Sequence, residues 1–301
     1  MDVTDYPPLF VAADAASGWG QRWHRRIVGS NLILVIVSST LGYIATAGGE
    51  TLRIASSVLS ALALIAGLAS RWQHRLLRDE RRWFEGRAVA ETAKSLTWRY
   101  IMRVPPFADG TGTDADADAA FISALGEVNT EIPVADLADV GAIGVQQITP
   151  RMREIRALDV DDRRAIYASD RLGDQVRWYA SKTEWNKRRS TLWSRVALTS
   201  EMLAIISALA VIVSPNPWLN VVTLLGAVSA SATAWSKLGQ HSELSISYNV
   251  AARELAKLRD LAAAASSEAE LSAIVLSGEG AISREHTLWI AKRGNTLTPA
   301  I

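Results

Sequence analysis

Four apolar runs in two close pairs constrain this chain more than any other feature. Residues 27–47 (IVGSNLILVIVSSTLGYIATA) give 21 positions without a charge, and residues 54–70 (IASSVLSALALIAGLAS) give 17 more. Only Gly48 to Arg53 separate them. A second pair follows about 165 residues later. There VALTSEMLAIISALAVIV (196–213) is broken only by Glu201, and WLNVVTLLGAVSASATAW (218–235) carries no charge. Crossing a hydrocarbon core of ~30 Å at ~1.5 Å per residue takes about 20 apolar residues. Leu52 and Trp72 extend the shorter second run toward that length. The turn Ser214-Pro215-Asn216-Pro217 cannot continue a helix, because proline lacks an N–H and clashes with the preceding turn. The pattern predicts two transmembrane hairpins. A soluble helical protein would have to bury four such runs within 301 residues, which is hard to arrange. The first run is too long, and starts too late, for a signal peptide, and the chain returns at once through a second span.

Tryptophan supports the same reading. Trp23, Trp72, Trp193, Trp218 and Trp235 all lie within a few residues of an expected span end. Indole pairs an apolar body with one N–H donor and so favours the headgroup region. Basic residues set the orientation. Residues 71–103 hold nine Lys and Arg, whereas the two hairpin tips hold only Arg53. Further basic residues precede the first span (Arg22, Arg25, Arg26) and the third (Arg177, Lys182, Lys187, Arg188, Arg189, Arg195). The positive-inside rule then puts both termini and the central region in the cytoplasm and the tips outside.

The rest of the chain reads as cytoplasmic helix. Residues 72–103 form a helix continuing out of the second span, with pairs such as Arg87/Glu91, and Pro105-Pro106 ends it. Residues 104–150 contain eight acidic residues and no basic ones. By composition, Gly110 to Ala120 is a flexible linker, with a short helix from about Phe121. Asp114, Asp116 and Asp118 resemble the start of a calcium loop, but Ala119 and Leu125 stand where such a loop needs glycine and glutamate. Further helices are expected over 161–193, about 237–266, 268–277 and 280–292, with Ser283 at the N-cap or in the first turn of the last. The expected layout is an all-α membrane protein of two tandem transmembrane hairpins with long cytoplasmic helical extensions. A first two-span unit covers 15–107 (spans about 27–47 and 52–71). An acidic linker with a short helix follows over 108–158. A second two-span unit covers 159–293 (spans about 195–213 and 217–235).

No catalytic constellation is evident: there is no P-loop, GxSxG, HExxH or dinucleotide fingerprint. The absence of cysteine excludes disulfides, thiolate metal sites and thiol catalysis. The four histidines are scattered, so neither a metal site nor a cofactor is expected. Ser283, Glu285 and His286 could be imagined as a triad, but cap and first-turn roles are expected instead. A net charge of +1 argues against a dedicated nucleic-acid binder.

The spans carry features compatible with a pore. In the fourth, Thr223, Ser229 and Thr233 supply hydroxyls, with Asn220 near its start. Beside them run Gly226, Ala230 and Ala234, spaced by four, which let helix backbones approach closely. That row either packs within the hairpin or leaves the hydroxyl stripe to line a water path. Ser56, Ser60, Ala63 and Gly67 form a similar packing face in the second span. Glu201 is the most informative single residue, since a carboxylate at a span centre costs about 2.5–3.5 kcal/mol on insertion scales. As the sixth residue of its span it lies only about 7.5 Å deep at ~1.5 Å per residue. It either stays hydrated near the interface or forms a carboxylate ring at a pore mouth.

Several longer stretches bear a family likeness. WFEGRAVAETAKSLTWRYIMRVPPF (83–107), with Trp83, Arg87, Glu91, Trp98 and Tyr100, resembles the post-hairpin motif of one SLATT subfamily. These are the SMODS- and SLOG-associating two-transmembrane effector domains of bacteria. Three later stretches resemble another subfamily. They are RLGDQVRWYASKTEWN (171–186, with Gln175 and Tyr179), SYNVAARELAKL (247–258, with Tyr248 and Glu254) and ISREHTLWIAKR (282–293, with Arg284, Glu285, His286 and Trp289). The likeness spans about residues 15 to 293. It implies a membrane effector of an anti-phage conflict system, working beside nucleotide second-messenger synthases or sensors. Such proteins are proposed to oligomerise into pores that depolarise the cell membrane and halt phage spread. The implied partners are the lipid bilayer, further copies of the chain, and a nucleotide second messenger or its synthase or sensor. A non-pore membrane anchor that recruits a cytoplasmic partner is the alternative, and a membrane enzyme is disfavoured.

Overall fold

The structure, a computed structural model, describes residues 1–73, 76–108, 113–131 and 146–297, with side chains described outside 71–82, 129–131 and 284–297. Helices account for the regular structure of the described residues, and no strand occurs among them. The elements are α1 (Pro8–Ala47), α2 (Glu50–Gln73), α3 (Leu76–Ile101), α4 (Asp114–Glu131), α5 (Pro150–Ala157), α6 (Val160–Ile166), a π-helical turn (Tyr167–Gly173), α7 (Asp174–Val213), α8 (Val222–Gly239), α9 (His241–Ala264) and α10 (Glu268–Leu297). The helix α6, the π turn and α7 follow one another without a break from Val160 to Val213. The chain folds into two compact units that interleave its two halves. Residues 22–79 and 183–246 form a span unit. Residues 1–21, 80–182 and 247–301 form a head unit.

The span unit holds the apolar parts of α1, α2, α7 and α8, four helices long and apolar enough to cross a membrane. Their apolar windows are only 11–17% buried within the chain. Ile65, Leu68, Ile205, Ile212 and Val213 are all exposed, up to 86% for Val213. Such a surface is unfavourable in water and suited to lipid. Contacts inside each hairpin use small and hydroxylated residues. Ser38 Oγ and Ser60 Oγ lie 2.8 Å apart, and Asn31 Nδ2 donates to Ser70 Oγ at 2.9 Å. A Cβ on Gly67 would come within 3.1 Å of Asn31 Oδ1, so α1 and α2 approach closely there. In the second hairpin, Ser207 Oγ bonds the Leu219 carbonyl and accepts from Val221 N–H at 3.0 Å, satisfying backbone groups at the turn. Asn216 Oδ1 accepts from Trp218 N–H at 3.0 Å. At the tips, Tyr43 donates its hydroxyl to the Trp218 carbonyl at 2.6 Å, and the two rings meet edge-on at 5.9 Å.

The head unit has a dense aromatic core. Trp98, Tyr100, Tyr167, Phe107 and Phe121 are each below 1% exposed. Three arginines are buried beside them: Arg156, Arg163 and Arg171. Two of these supply what the end of α3 lacks. A helix leaves its last carbonyls without intrahelical partners. Arg156 Nη1 donates to the carbonyls of Tyr100 (2.6 Å) and Phe107 (3.2 Å). Arg163 Nη1 donates to Met102 (2.9 Å) and its Nε to Leu158 (3.1 Å).

Three sequence-based expectations change here. The acidic stretch expected to be a linker carries α4, which begins at Asp114 and buries Phe121 and Leu125. Asp114 and Asp116 sit in its first turn, where the helix dipole favours negative charge. Asp114 and Asp118 pair with Arg156 and Arg153. The helices expected over 268–277 and 280–292 are one helix, α10. An interior glycine costs about 1 kcal/mol in a helix, and the burial of Val275, Ala281 and Ile282 around Gly278 and Gly280 outweighs it. Ser283 is therefore not a cap but an interior residue of α10. The cap is formed upstream, where Glu270 accepts from Ser266 N–H and Ser267 Oγ accepts from Glu270 N–H.

Candidate functional site

Two places concentrate polar groups where apolar packing would otherwise be expected. The first lies within the head unit. The π turn aims Tyr167 and Arg171 together at α10, and wide turns of this kind frequently mark functional positions. Arg171 Nε and Nη2 grip Glu279 Oε1 and Oε2 at 2.9 and 2.6 Å. Tyr167 donates to the same Oε1 at 3.2 Å. Arg171 and Glu279 are only 1% and 3% exposed. Burial works against the Arg171 charge, but the facing carboxylate outweighs it and holds the guanidinium protonated. Burial pushes the Tyr6 hydroxyl up to about 12, although Arg171 and the hydrogen bond from Trp98 Nε1 (3.0 Å) pull it down. Lys94 lies over the rings of Tyr6 and Phe10 and titrates below its ordinary range, first from burial and then from Arg171. With both oxygens engaged, Glu279 acts as a clasp between the π turn and α10 rather than as a general base.

Beside this clasp, α3 and α10 enclose a cleft of about 290 Å³. Glu91, Ser95, Arg99, Glu279 and Ser283 give it a polar lining, and Leu96, Leu276 and Ile282 an apolar one. Arg99 Nε and Arg171 Nη1 are buried donors with no hydrogen-bond acceptor among the described residues. The volume is near the lower end of the about 300–1,000 Å³ typical of small-molecule pockets. Among the described residues, no group of three or more His, Asp or Glu could hold a metal ion.

The second place lies within the span unit. Ser229 is buried, and its hydroxyl donates to Glu201 Oε1 at 2.7 Å, joining α8 to α7. Glu201 itself is exposed on the outside of the chain. Asn220, Thr223, Thr233, Gly226, Ala230 and Ala234 are exposed as well. A Cβ on Gly226 would meet nothing within 4 Å. The small row of α8 therefore touches none of the chain's own helices at that point. Ser229, Ser231 and Ala232 are the buried residues of α8. In α2 the arrangement is reversed: Ser56 and Gly67 are buried, and Ser60 and Ala63 half-buried.

The motif residues outside the spans fall mostly in the head-unit packing. Trp83, Trp98, Tyr100 and Tyr179 are buried. Arg87 pairs with Glu91 at 3.1 Å and lies over the Trp178 ring. Tyr248 meets the rings of Trp178 and Tyr179 at 5.4 Å. Gln175 is half-buried and Glu254 exposed. The side chains of Arg284, Glu285, His286, Trp289 and Trp72 lie outside the described residues. Sequence reasoning missed Arg171, Glu279, Tyr167 and Lys94 as a cluster. Arg171 opens one of the quoted motifs, but nothing in the pattern separates a buried arginine from a solvated one.

Two apolar hairpins, four helices able to cross a membrane and a head that is helical among the described residues define a helical membrane protein. Residues 7–164 match the family model described as SMODS and SLOG-associating 2TM effector domain 3, and residues 167–289 match SMODS and SLOG-associating 2TM effector domain 1. The chain belongs to the SLATT family, as two tandem domains of different subfamilies. The matches meet where the π turn begins. No curated protein and no solved structure matches the chain.

Proposed function

We propose that this SLATT protein is a bacterial inner-membrane effector of anti-phage defence that assembles with copies of itself into an ion-conducting path. In this reading both termini and the head-unit segments lie in the cytoplasm, following the basic flanks of the spans. One observation carries the proposal. Glu201 sits within a span, is bonded to Ser229 and still faces outward from the chain. A carboxylate facing lipid is costly. A ring of such carboxylates around a wetted axis, formed by several chains, removes that cost and attracts cations. The exposed hydroxyls of Thr223 and Thr233 extend the same polar surface along α8. The α3–α10 cleft is the proposed input for a nucleotide-linked signal, since Arg99, which lines it, has a buried Nε without an acceptor among the described residues and so suits an acceptor-rich ligand.

The test is ion flux through liposomes containing the purified chain. Wild-type protein is expected to pass cations in preference to anions, and Glu201→Gln to lose that preference while still assembling. Wild-type liposomes that stay tight with and without cyclic oligonucleotides would sink the pore and favour a membrane anchor. Unchanged selectivity in Glu201→Gln would remove the carboxylate ring.

A further inference from the structure

The most specific unassigned feature is a small basic crevice within the span unit, of about 170 Å³, at the end of the spans opposite the hairpin tips. Arg25 of α1, Trp185 and Arg189 of α7, and Trp235, Leu238, Gly239 and His241 of the α8–α9 junction line it. Its walls are fixed by mutual contacts. The Arg189 guanidinium lies 5.4 Å from the centre of the Trp185 ring. The Trp185 ring meets His241 edge-on at 5.3 Å. His241 is buried, and its Nδ1 lies 2.8 Å from Asn186 Oδ1. Trp235 packs edge-on against Trp193 at 6.5 Å, and the buried Trp193 Nε1 has no acceptor among the described residues.

Two glycines make room for these rings. A Cβ on Gly29 would come within 3.3 Å of the Trp235 ring. A Cβ on Gly239 would collide with the His241 ring, so the imidazole can fold back over the junction only because that position is bare. Gln240 turns the chain there through a left-handed conformation (φ 47°).

The chemistry of the lining is uniform. Two guanidiniums supply positive donor groups, no carboxylate lines the crevice, and indoles form its rim. Guanidinium groups bind phosphate oxygens by paired, charge-assisted hydrogen bonds. Indoles favour the headgroup layer of a bilayer. The crevice is well below the about 300–1,000 Å³ that encloses a drug-sized ligand. It suits one phosphate group rather than a whole nucleotide. We propose that this crevice is a phosphate-recognition site, holding one phosphomonoester or phosphodiester group between Arg25 and Arg189 at the basic end of the spans. The group comes from an anionic lipid headgroup or from a soluble phosphate.

The test uses the full chain in detergent and reads retained lipid by native mass spectrometry. Titrations with phosphatidylglycerol, phosphatidylcholine and inorganic phosphate distinguish the sources. Wild-type protein is expected to keep phosphatidylglycerol over phosphatidylcholine, and Arg189→Gln to weaken that binding by about tenfold or more, the usual loss for a charge-assisted hydrogen bond. Gly239→Ala keeps every charge but displaces the imidazole, and it too should weaken binding. Arg188→Gln is the control, since Arg188 is occupied by Glu184 at 2.7 Å and lies outside the crevice. It should bind as wild type does. Displacement of the lipid by inorganic phosphate identifies a soluble phosphate as the ligand, and resistance to displacement identifies the headgroup. Equal retention of the two lipids together with no binding of inorganic phosphate would overturn the site, as would an Arg189→Gln variant no weaker than Arg188→Gln. Ion flux plays no part in the readout, so the result stands apart from the question of a pore.

Discussion

Arg171 and Glu279 form the kind of pair whose value is easily misjudged. Removing both charges from water costs several kcal/mol per ion, and their attraction offsets this only with full hydrogen bonding. Here both carboxylate oxygens and the Tyr167 hydroxyl take part, while Arg171 Nη1 finds no acceptor among the described residues. Breaking the pair from one side strands a buried charge. Arg171→Ala and Glu279→Gln should each lower the stability of the chain in detergent by about 3–5 kcal/mol, seen as a shift in the denaturant midpoint. The paired apolar replacement Arg171→Met with Glu279→Leu should recover most of that loss. A double variant as unstable as the singles would contradict this account. His241 supports a second prediction. Burial first, then Arg25 and Arg189, lower its pKa from the ordinary 6.5, with Glu243 opposing. The folded chain thus holds the neutral ring, while the unfolded chain binds a proton more readily. The stabilisation is fully present above pH 6.5 and is lost as the pH falls from there through the lowered folded value. Melting temperatures taken from about pH 7.5 down to about 5.5 should fall more steeply for wild type than for His241→Gln. Parallel profiles would remove His241 from the explanation.

At the scale of elements, the sequence foretold the four spans well, because hydropathy over 17 to 21 residues is a strong one-dimensional signal. It was poorer where tertiary contacts override local preference. The stretch from Asp114 reads as acidic linker until Arg153 and Arg156, about 40 residues on, supply the opposite charge. The step at Gly278 reads as a helix break until the packing of Val275 and Ile282 holds it inside α10. The site residues divide the same way. Glu201 stood out as a charge in an apolar run, whereas Arg171 and Glu279 sat among many charges and gave no signal until a π turn set them facing each other. The end of α3 is a further case. Arg103 takes the left-handed conformation (φ 54°) that glycine usually supplies. Val104 N–H bonds the Arg99 carbonyl, and Arg103 N–H bonds that of Tyr100, the paired closure of a Schellman motif. The arginine is kept there by its Nε donating to the Arg156 carbonyl at 3.0 Å. Arg103→Ala keeps the left-handed strain and loses the bond. Arg103→Gly loses the bond but also the strain, worth roughly 1–2 kcal/mol. Thermal unfolding should therefore rank the glycine variant above the alanine one by about 1 kcal/mol. The reverse order would mean that Arg103 is not strained.

At the scale of the whole molecule, the chain carries two rows of small residues and uses them differently. The row on α2 is occupied within the chain: Ser60 bonds Ser38, and Gly67 lies against Asn31. The row on α8 is bare at Gly226 and exposed at Ala230 and Ala234. In lipid there is little hydrophobic gain in bringing helices together, so close packing and hydrogen bonds decide association. A bare small row beside an outward-facing carboxylate is the surface on which a second copy could gain both. This separates two substitutions that look alike in sequence. Gly67→Leu forces a side chain into Asn31 and should lower the melting temperature of the chain itself. Gly226→Leu meets open space, should leave that temperature unchanged, and should instead reduce the fraction of oligomer recovered by cross-linking in membranes. Leu68→Ala, on the exposed face of α2 where Leu68 is 69% exposed, should change neither. If Gly226→Leu assembles as well as wild type, the α8 face is a lipid surface, and Glu201 must reach water near the membrane boundary without the help of a second chain.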